Sequence, residues 1–326
     1  MTLDILFLGG TGIISTASVR LAASRGHRVT VLNRGRSGAV LPEGVESLVA
    51  DVSDPSSVDA AVAGRSFDVV AQFRAFTTET VRSDIDRFAG RVGQYVFVSS
   101  ASAYQKPPAA LPVTESTPLR NPFWQYSRDK IACEDLLVAA DRDDDFPMTI
   151  VRPSHTYDDS LLPTMGGWTD IARMRAGKPV VVHGDGTTPW TLTHSDDFAV
   201  GFVGLLGRPE ALGNAYTITG ESAPTWNQIY TWLGRAAGVA EPRLVHVASE
   251  RIAREVPDLG PGLVGDKAHA MLFDTTKLRR LVPEFTTTIP YAEGARRQLA
   301  WFDTHPEAQI VDEALDARFD ALAALA

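Results

Sequence analysis

Cysteine is nearly absent: the 326 residues contain only Cys133. That excludes an internal disulfide and a cysteine-built zinc site, and it suits a reducing compartment. The seven histidines are scattered, and none forms an i, i+4 pair with a nearby carboxylate, so no metal is expected. Long apolar runs are missing too. Nothing approaches the ~20 residues that cross a bilayer, and Leu3–Leu8 lacks the basic flank and length of a secretion signal. Basic excess is also lacking, with 31 Lys and Arg against 40 Asp and Glu and a formal net charge of −9. Such a balance argues against non-specific binding to nucleic acid or anionic membranes. Ser100 has no Gly-x-Ser-x-Gly elbow around it, which removes a serine-hydrolase reading. There is no internal repeat or low-complexity tract. The expectation is a soluble, cytoplasmic, globular protein with ordinary composition, 44% hydrophobic and 22% charged.

Up to about residue 152 short apolar runs alternate with helical periods. Strands are predicted at Ile5–Leu8, Arg28–Leu32, Val69–Gln72, Gln94–Ser99 and Thr149–Arg152, all buried on both faces in the manner of parallel strands. Helical spacing covers Thr16–Ser24, Ser56–Val62, Thr78–Phe88 and Tyr126–Ala140. This alternation predicts an α/β fold with a doubly wound parallel sheet. Asp141–Asp145 reads as a solvated turn. Residues 1–160 are expected to form the Rossmann domain, with returning segments around 188–220, and 161–326 mainly a smaller mixed α/β substrate lobe. In that lobe strands are predicted at Val180–His183, Trp190–Thr193, Ala215–Thr219 and Arg243–Val247, and Pro257–Gly265 reads as a loop. Val311, Leu315, Phe319 and Leu322 stand at helical spacing, which predicts a docked terminal helix.

Gly9-Gly10-Thr11-Gly12-Ile13-Ile14-Ser15 follows the first strand and opens a helix. Glycines there let backbone approach a pyrophosphate, and the helix N-terminus offers free N–H groups and a positive dipole end. Gly9, Thr11, Gly12, Ile13 and Ile14 are therefore candidate dinucleotide contacts, with Ser15 small enough for close packing. About twenty residues on, an NAD enzyme places an acid on the ribose 2′-hydroxyl. Here Asn33-Arg34-Gly35-Arg36 stands instead, and its guanidinium groups could pair with a 2′-phosphate. NADP is favoured over NAD on this ground. Asp51-Val52 could cap the adenine. Phe73, after the third predicted strand, lies on the cofactor's expected path; the adjacent Arg74 is expected at the surface, with a pyrophosphate contact as the alternative.

Val96–Ser99 closes the fourth predicted strand and leads into Ser100, Ala101 and Ser102; Tyr126 follows 26 residues after Ser100, four before Lys130. A Tyr and a Lys four apart share one helical face. An ammonium near a phenol lowers its pKa, giving a base for a hydroxyl proton, while a serine hydroxyl orients the same oxygen. Ser100, Tyr126 and Lys130 are the catalytic candidates.

Together these motifs resemble the extended short-chain dehydrogenase/reductase superfamily, in its NAD-dependent epimerase/dehydratase branch. The resemblance spans nearly the whole chain. Gly9–Ser15 matches its cofactor loop, Ser100, Tyr126 and Lys130 its triad, and Val151-Arg152-Pro153 the stretch beside the nicotinamide. Gly184-Asp185-Gly186, His194–Asp197 and Asp274-Thr275-Thr276-Lys277 resemble landmarks of its substrate lobe. It implies a Rossmann fold, a nicotinamide cofactor bound also by Tyr126, Lys130 and Pro153, a sugar-like substrate, and a homodimer. The dimer face is expected on Thr78–Phe88 and Tyr126–Ala140, where Ile85, Phe88, Leu136, Leu137 and Val138 add apolar surface.

Two departures narrow the activity. Dehydratases of the branch carry Asp-Glu where this chain has Ala101 and Ser102, so elimination of water is not expected. Nucleotide-sugar members place a diphosphate-binding arginine where Trp190 stands, a residue that could stack on a sugar ring or belong to the lobe's core. Ser100, Ala101, Ser102, His155 and Trp190 are the candidate substrate contacts. The proline-rich loop 105–122 is expected at the mouth of the site. The expected activity is NAD(P)-dependent oxidation or epimerisation of a carbinol. The alternatives are a ketone reductase without epimerisation and a catalytically silent dinucleotide-sensing or RNA-associated protein.

Overall fold

The protein was described as a computed structural model over residues 1–35 and 40–325. Seven parallel strands form the central sheet: β1 (Asp4–Leu8), β2 (Arg28–Asn33), β3 (Glu46–Val49), β4 (Phe67–Gln72), β5 (Val92–Val98), β6 (Met148–Pro153) and β10 (Asn214–Ile218). Their order is β10-β6-β5-β4-β1-β2-β3. Helices α1 (Ile13–Ser24), α2 (Pro55–Val62), α3 (Thr78–Phe88), α4 (Gln125–Asp144) and α6 (Ser195–Leu205) flank it. The order reverses between β1 and β4, so the carboxyl ends of these strands open a crevice there, where α/β sheets bind ligands. One core lies beneath each face. Phe7, Val31, Val69 and Val96 point to one side, with Phe198 and Phe202 of α6. Leu6, Leu8, Val70 and Phe97 point to the other, with Leu137 of α4.

Strand β3 escaped the sequence reading because it is an edge strand whose residues Glu46, Ser47 and Val49 are exposed, leaving no apolar run to detect. Its presence makes Phe67–Gln72 the fourth strand and Val92–Val98 the fifth, not the third and fourth. Asp141–Asp144 is likewise not a turn after the helix. Helix α4 continues through Asp144 and ends where Asp145 adopts a left-handed conformation, φ 53°.

The second lobe holds two small parallel pairs, β7 (His155–Tyr157) with β9 (Leu192–His194), and β8 (Val180–His183) with β11 (Leu244–Val247). Helices α5 (Trp168–Arg175) and α7 (Trp226–Ala236) join Trp190, Tyr291 and Phe302 in its core. The Pro/Gly-rich stretch is not a loop but consecutive short helical turns, Pro257–Leu259, Gly260–Gly262 and Leu263–Lys267. Pro257 and Pro261 fall in first-turn positions, which need no N–H partner. Of the terminal pattern, Phe319 and Leu322 are buried on helix Glu313–Ala323, whereas Val311 lies ahead of it and is exposed. Leu278, Val282 and Phe285 return to the first core, a contact no local pattern announced.

Leu137 and Phe88 are fully committed to the core under the sheet, and Ile85, Leu136 and Val138 are half-buried against it. Part of the apolar surplus on α3 and α4 is therefore used within one subunit, while Ile85, Leu136 and Val138 stay partly exposed. Among the described residues no helix is long and apolar enough to cross a membrane. None of their His, Cys, Asp and Glu side chains form a cluster of three able to hold a metal ion.

Candidate functional site

A cleft of about 910 Å³ opens along the carboxyl ends of the sheet. It is at the large end of ligand sites. Its first half is the glycine turn between β1 and α1. Gly9 has φ +90°, and a Cβ there would lie 2.1 Å from Arg74 Cγ. Gly10 abuts Val31, whose methyl carbons would stand 2.7 Å from an added Cβ. The turn thus admits only glycine at both places, and it lays α1 tightly on β2. Ser15 Oγ accepts the Gly12 N–H at 2.8 Å, holding the first turn so that the following N–H groups face the cleft. Gly9, Thr11, Gly12, Ile13, Ile14, Asn33, Arg34, Asp51, Val52, Phe73, Ser100, Tyr126, Lys130 and Pro153 all line this one cleft.

Particular partners refine several of these. Asn33 Oδ1 accepts the Gly35 N–H at 2.7 Å, shaping the turn that presents exposed Arg34; Arg36 lies outside the described residues. Asp51 Oδ1 accepts from both N and Oγ of Ser53. Arg74 is exposed, as expected, and also lies across Gly9 and lines the cleft with Phe76. Neither Phe76 nor Ser154 and Thr156, also in the lining, was visible beforehand, since Phe76 and Ser154 are ordinary residues past a strand and Thr156 lies within the short strand β7.

At the closed end Tyr126 and Lys130 rise from the first turns of α4. Lys130 Nζ donates to the carbonyls of Ala75 and Val98, each at 2.8 Å. It also sits 4.7 Å from the ring centroids of both Phe76 and Phe97. Burial pulls this ammonium down to about 8. The expectation that Lys130 lowers the Tyr126 pKa is not met in this geometry: Nζ stands 6.0 Å from the Tyr126 ring centroid and is turned to the two carbonyls. Burial instead pushes the phenol above its ordinary range, offset only in part by a hydrogen bond from Ser100, with Asp266 adding to the rise.

Ser100 ends a buried hydrogen-bond chain that runs through Ser102 and Ser127 to Asn121. Asn121 Oδ1 accepts the Phe123 N–H, so its amide nitrogen faces inward, its two hydrogens serving the carbonyls of Gly265 at 2.7 Å and Ser102 at 2.9 Å, with Ser127 Oγ farther off at 3.2 Å. Ser127 Oγ donates to Ser102 Oγ at 2.8 Å. Ser102 Oγ in turn shares a hydrogen bond with Ser100 Oγ at 2.9 Å, and the Ser102 N–H donates to Ser100 Oγ at 3.1 Å. With Ser102 as donor in both bonds, the Ser100 hydrogen points at Tyr126, in keeping with the Ser100 hydrogen bond that lowers the Tyr126 pKa. Asn121 is where the proline-rich loop reaches the site.

Behind the site Glu134, one turn beyond Lys130, is 1% exposed and faces Arg152, 5% exposed. Arg152 Nε donates to both Glu134 oxygens at 3.1 Å, and Nη1 to Tyr104 Oη at 3.1 Å. Ser99 Oγ also donates to Glu134, and Tyr104 Oη pairs with Thr217 Oγ1 at 2.6 Å. Burial opposes the Arg152 charge, but the bonds to Glu134 outweigh it and raise the guanidinium pKa. The network ties β5, α4, β6 and β10 together under Ser100 and Lys130. Sequence reading missed Glu134, although its i+4 spacing from Lys130 was a usable signal.

The remaining substrate candidates lie deeper. Ala101 and Ser102 are each 3% exposed, so Ser102 acts on Ser100 and neither reaches the cleft surface. Trp190 is 2% exposed, stacked on Trp226 at 5.5 Å, with Nε1 donating to His155 Nδ1 at 2.8 Å. A ring so covered offers no face to a sugar; Trp190 belongs to the lobe's core. His155 keeps accessible surface, burial holds its imidazole down to about 3, and its occupied Nδ1 leaves Nε2–H to donate.

The family model described as NAD dependent epimerase/dehydratase family matches residues 5–219. A 2′-dehydrokanamycin reductase of Streptomyces kanamyceticus is 30% identical over 290 residues, covering 87% of this chain and 80% of that protein. A chloroplast stem-loop binding protein of 41 kDa from Arabidopsis thaliana is 28% identical over 255 residues, 74% of this chain and 65% of that one. Among solved structures, the epimerase Mth375 of Methanothermobacter thermautotrophicus superposes with a TM-score of 0.77 at 16% identity, over 94% of each chain, a likeness of fold. An α/β chain with a parallel seven-stranded sheet, a glycine turn at its switch point and a family match over most of its length belongs to the NAD-dependent epimerase/dehydratase family, within the extended short-chain dehydrogenases/reductases.

Proposed function

We propose that this protein is an NAD(P)-dependent oxidoreductase that reduces a ring ketone of a sugar-like substrate to a carbinol. The observation that carries the reading is the convergence of Ser100, Tyr126 and Lys130 at the closed end of a cleft that begins at the glycine turn. The residues lining it fit a dinucleotide: glycine where a Cβ would clash, and the open N-terminus of α1 facing the space. When bound, the nicotinamide supplies the hydride. Ser100, held as a donor by Ser102, hydrogen-bonds the ketone oxygen and polarises it. Tyr126, protonated at neutral pH because burial raises its pKa, gives its proton to the same oxygen as the carbon–hydrogen bond forms. Lys130, below about pH 8 still an ammonium and held by the carbonyls of Ala75 and Val98, offers its remaining donor to the nicotinamide ribose. Ala101 and Ser102 supply no acid to expel a hydroxyl, which speaks against dehydration. The reductase similar over most of this chain supports the same direction.

Epimerisation is the second reading, in which the carbinol is first oxidised and the ketone then takes the hydride back on its other face. Mass spectrometry of the denatured protein separates the two. An exchanging reductase releases little or no dinucleotide, and stoichiometric dinucleotide would favour the epimerase.

Cofactor choice is tested on Arg34. The reading is a preference for the 2′-phosphorylated dinucleotide, resting on Arg34 at the cleft and on the missing acid. Arg34→Ala is expected to weaken NADPH roughly tenfold or more, the worth of a charged hydrogen bond, and to leave NADH unchanged. Equal wild-type affinities would remove the preference. Pairing of two copies through α3 and α4 is carried by the family resemblance alone; equilibrium sedimentation giving a dimer is the expected result, and a monomer at micromolar concentration would refute it.

A further inference from the structure

Behind the wall of the cleft lies a buried polar cluster that the proposed reaction does not use. Asp84 of α3 is 2% exposed, and Gln72, the last residue of β4, is wholly buried. Asp84 Oδ1 accepts from Arg87 Nη1 at 2.7 Å. Its Oδ2 accepts from Tyr95 Oη at 2.8 Å and from Gln72 Nε2 at 2.6 Å. Three incoming donors suit a carboxylate, which has acceptor sites for all of them. Arg87 is anchored apart from Asp84 as well, because Nε donates to Asp59 of α2 at 2.6 Å and Nη2 to the Pro55 carbonyl at 3.2 Å.

The other end of the Gln72 amide meets the chain as it leaves the sheet. Oε1 accepts the Arg74 N–H at 2.6 Å. Both partners dictate which way the amide lies, since a backbone N–H can only donate and a carboxylate can only accept. This bond fixes the turn after β4. One residue on, the Ala75 carbonyl is one of the two that hold Lys130 Nζ, at 2.8 Å. The same turn lays Arg74 on Gly9 and sets Phe76 in the cleft lining. An unbroken run therefore leads from Asp84 through Gln72 and the Arg74 N–H to the carbonyl that aims the Lys130 ammonium.

We infer that Asp84 is a positioning residue for Lys130: through Gln72 it sets the Ala75 carbonyl, and with it the direction in which the ammonium presents its remaining donor. The inference rests on the oxidoreductase reading, in which that donor holds the nicotinamide ribose, and extends it to two residues out of reach of any ligand. Asp84→Asn keeps the shape but must turn an NH2 group to one side. The Arg87 guanidinium takes the oxygen, so the Gln72 amide turns over, its nitrogen confronts the Arg74 N–H, and the turn after β4 shifts. Gln72→Leu removes the same acceptor with every charge left in place. The readout is a ratio of affinities, measured by titration calorimetry at pH 7, for ADP-ribose over the β-methyl ester of ADP. These ligands carry equal charge and differ by the ribose that Lys130 holds. Lys130→Met is expected to lower the ratio, and Asp84→Asn and Gln72→Leu to lower it about threefold or more, within the worth of one hydrogen bond. Tyr95→Phe takes a bond from the same Asp84 oxygen without touching Gln72, so it should lower the melting temperature and leave the ratio unchanged. An unchanged ratio in Gln72→Leu, or an equal fall in Tyr95→Phe, would overturn the inference. Should Asp84→Asn not fold, Gln72→Leu decides alone. If Lys130→Met lowers the ratio and Gln72→Leu does not, only the role of Asp84 falls and the ribose contact stands. If Lys130→Met leaves it unchanged too, the ribose contact falls with it.

Discussion

Tyr126→Phe is expected to lower ketone reduction by roughly 10²–10⁴-fold, the range typical of a positioned acid or base, with dinucleotide binding intact. The substitution removes one oxygen and keeps the ring that packs on Trp124 and Phe76. What is lost is the proton donor. The phenol's pKa is raised by burial, so the Tyr126 donor should stay protonated across neutral pH, and any earlier decline above about pH 8 reports Lys130. Ser100→Ala should fall between wild type and Tyr126→Phe, because Ser100 orients and polarises the oxygen without giving up its proton. Lys130→Met should differ in kind: it removes the ammonium held by Ala75 and Val98 and weakens the dinucleotide as well. Steady-state rates over a panel of keto-sugars, with fluorescence titration of the dinucleotide, separate these outcomes. Near-full turnover by Tyr126→Phe would make the proton assignment wrong.

Glu134→Ala should be the most damaging change to stability, costing about 3–5 kcal/mol, because it leaves a buried guanidinium without its counter-charge. Arg152 would keep only Tyr104 as a polar side-chain partner, and Ser99 would lose its acceptor. Since the network joins β5, α4, β6 and β10, the loss should also loosen Ser100 and Lys130. Turnover in the surviving folded protein should therefore fall too. Glu134→Gln keeps an acceptor of the same shape and should be milder, though still destabilising. Thermal unfolding followed by circular dichroism reads the effect. An unchanged midpoint for Glu134→Ala would show that Arg152 finds water or another acceptor.

Much of this was legible before any coordinates. The parallel strands of the first half declared themselves because strands covered on both faces read as unbroken apolar runs, as in Ile5–Leu8 and Val69–Gln72. The glycine turn was legible because its backbone admits no side chain at Gly9 and Gly10. Edge strand β3 was silent because its side chains face water. Trp190 was ambiguous because its position relative to the family motif gives a place in the chain and not the neighbour, Trp226, that covers its ring. The Asn121–Ser127–Ser102 chain could not be seen at all, since three small polar residues gain direction only when folding brings residues 102, 121 and 127 together.

The central claim, hydride transfer from a nicotinamide to a ring carbon at Ser100, Tyr126 and Lys130, has one direct measurement. Reduced dinucleotide carrying deuterium at the transferring position of its nicotinamide is incubated with the enzyme and the keto-sugar panel, and the products are read by mass spectrometry. The account predicts one deuterium in the carbinol formed, matched by dinucleotide consumed, and neither in Tyr126→Phe. Product formed without deuterium, or formed equally by Tyr126→Phe, would contradict it.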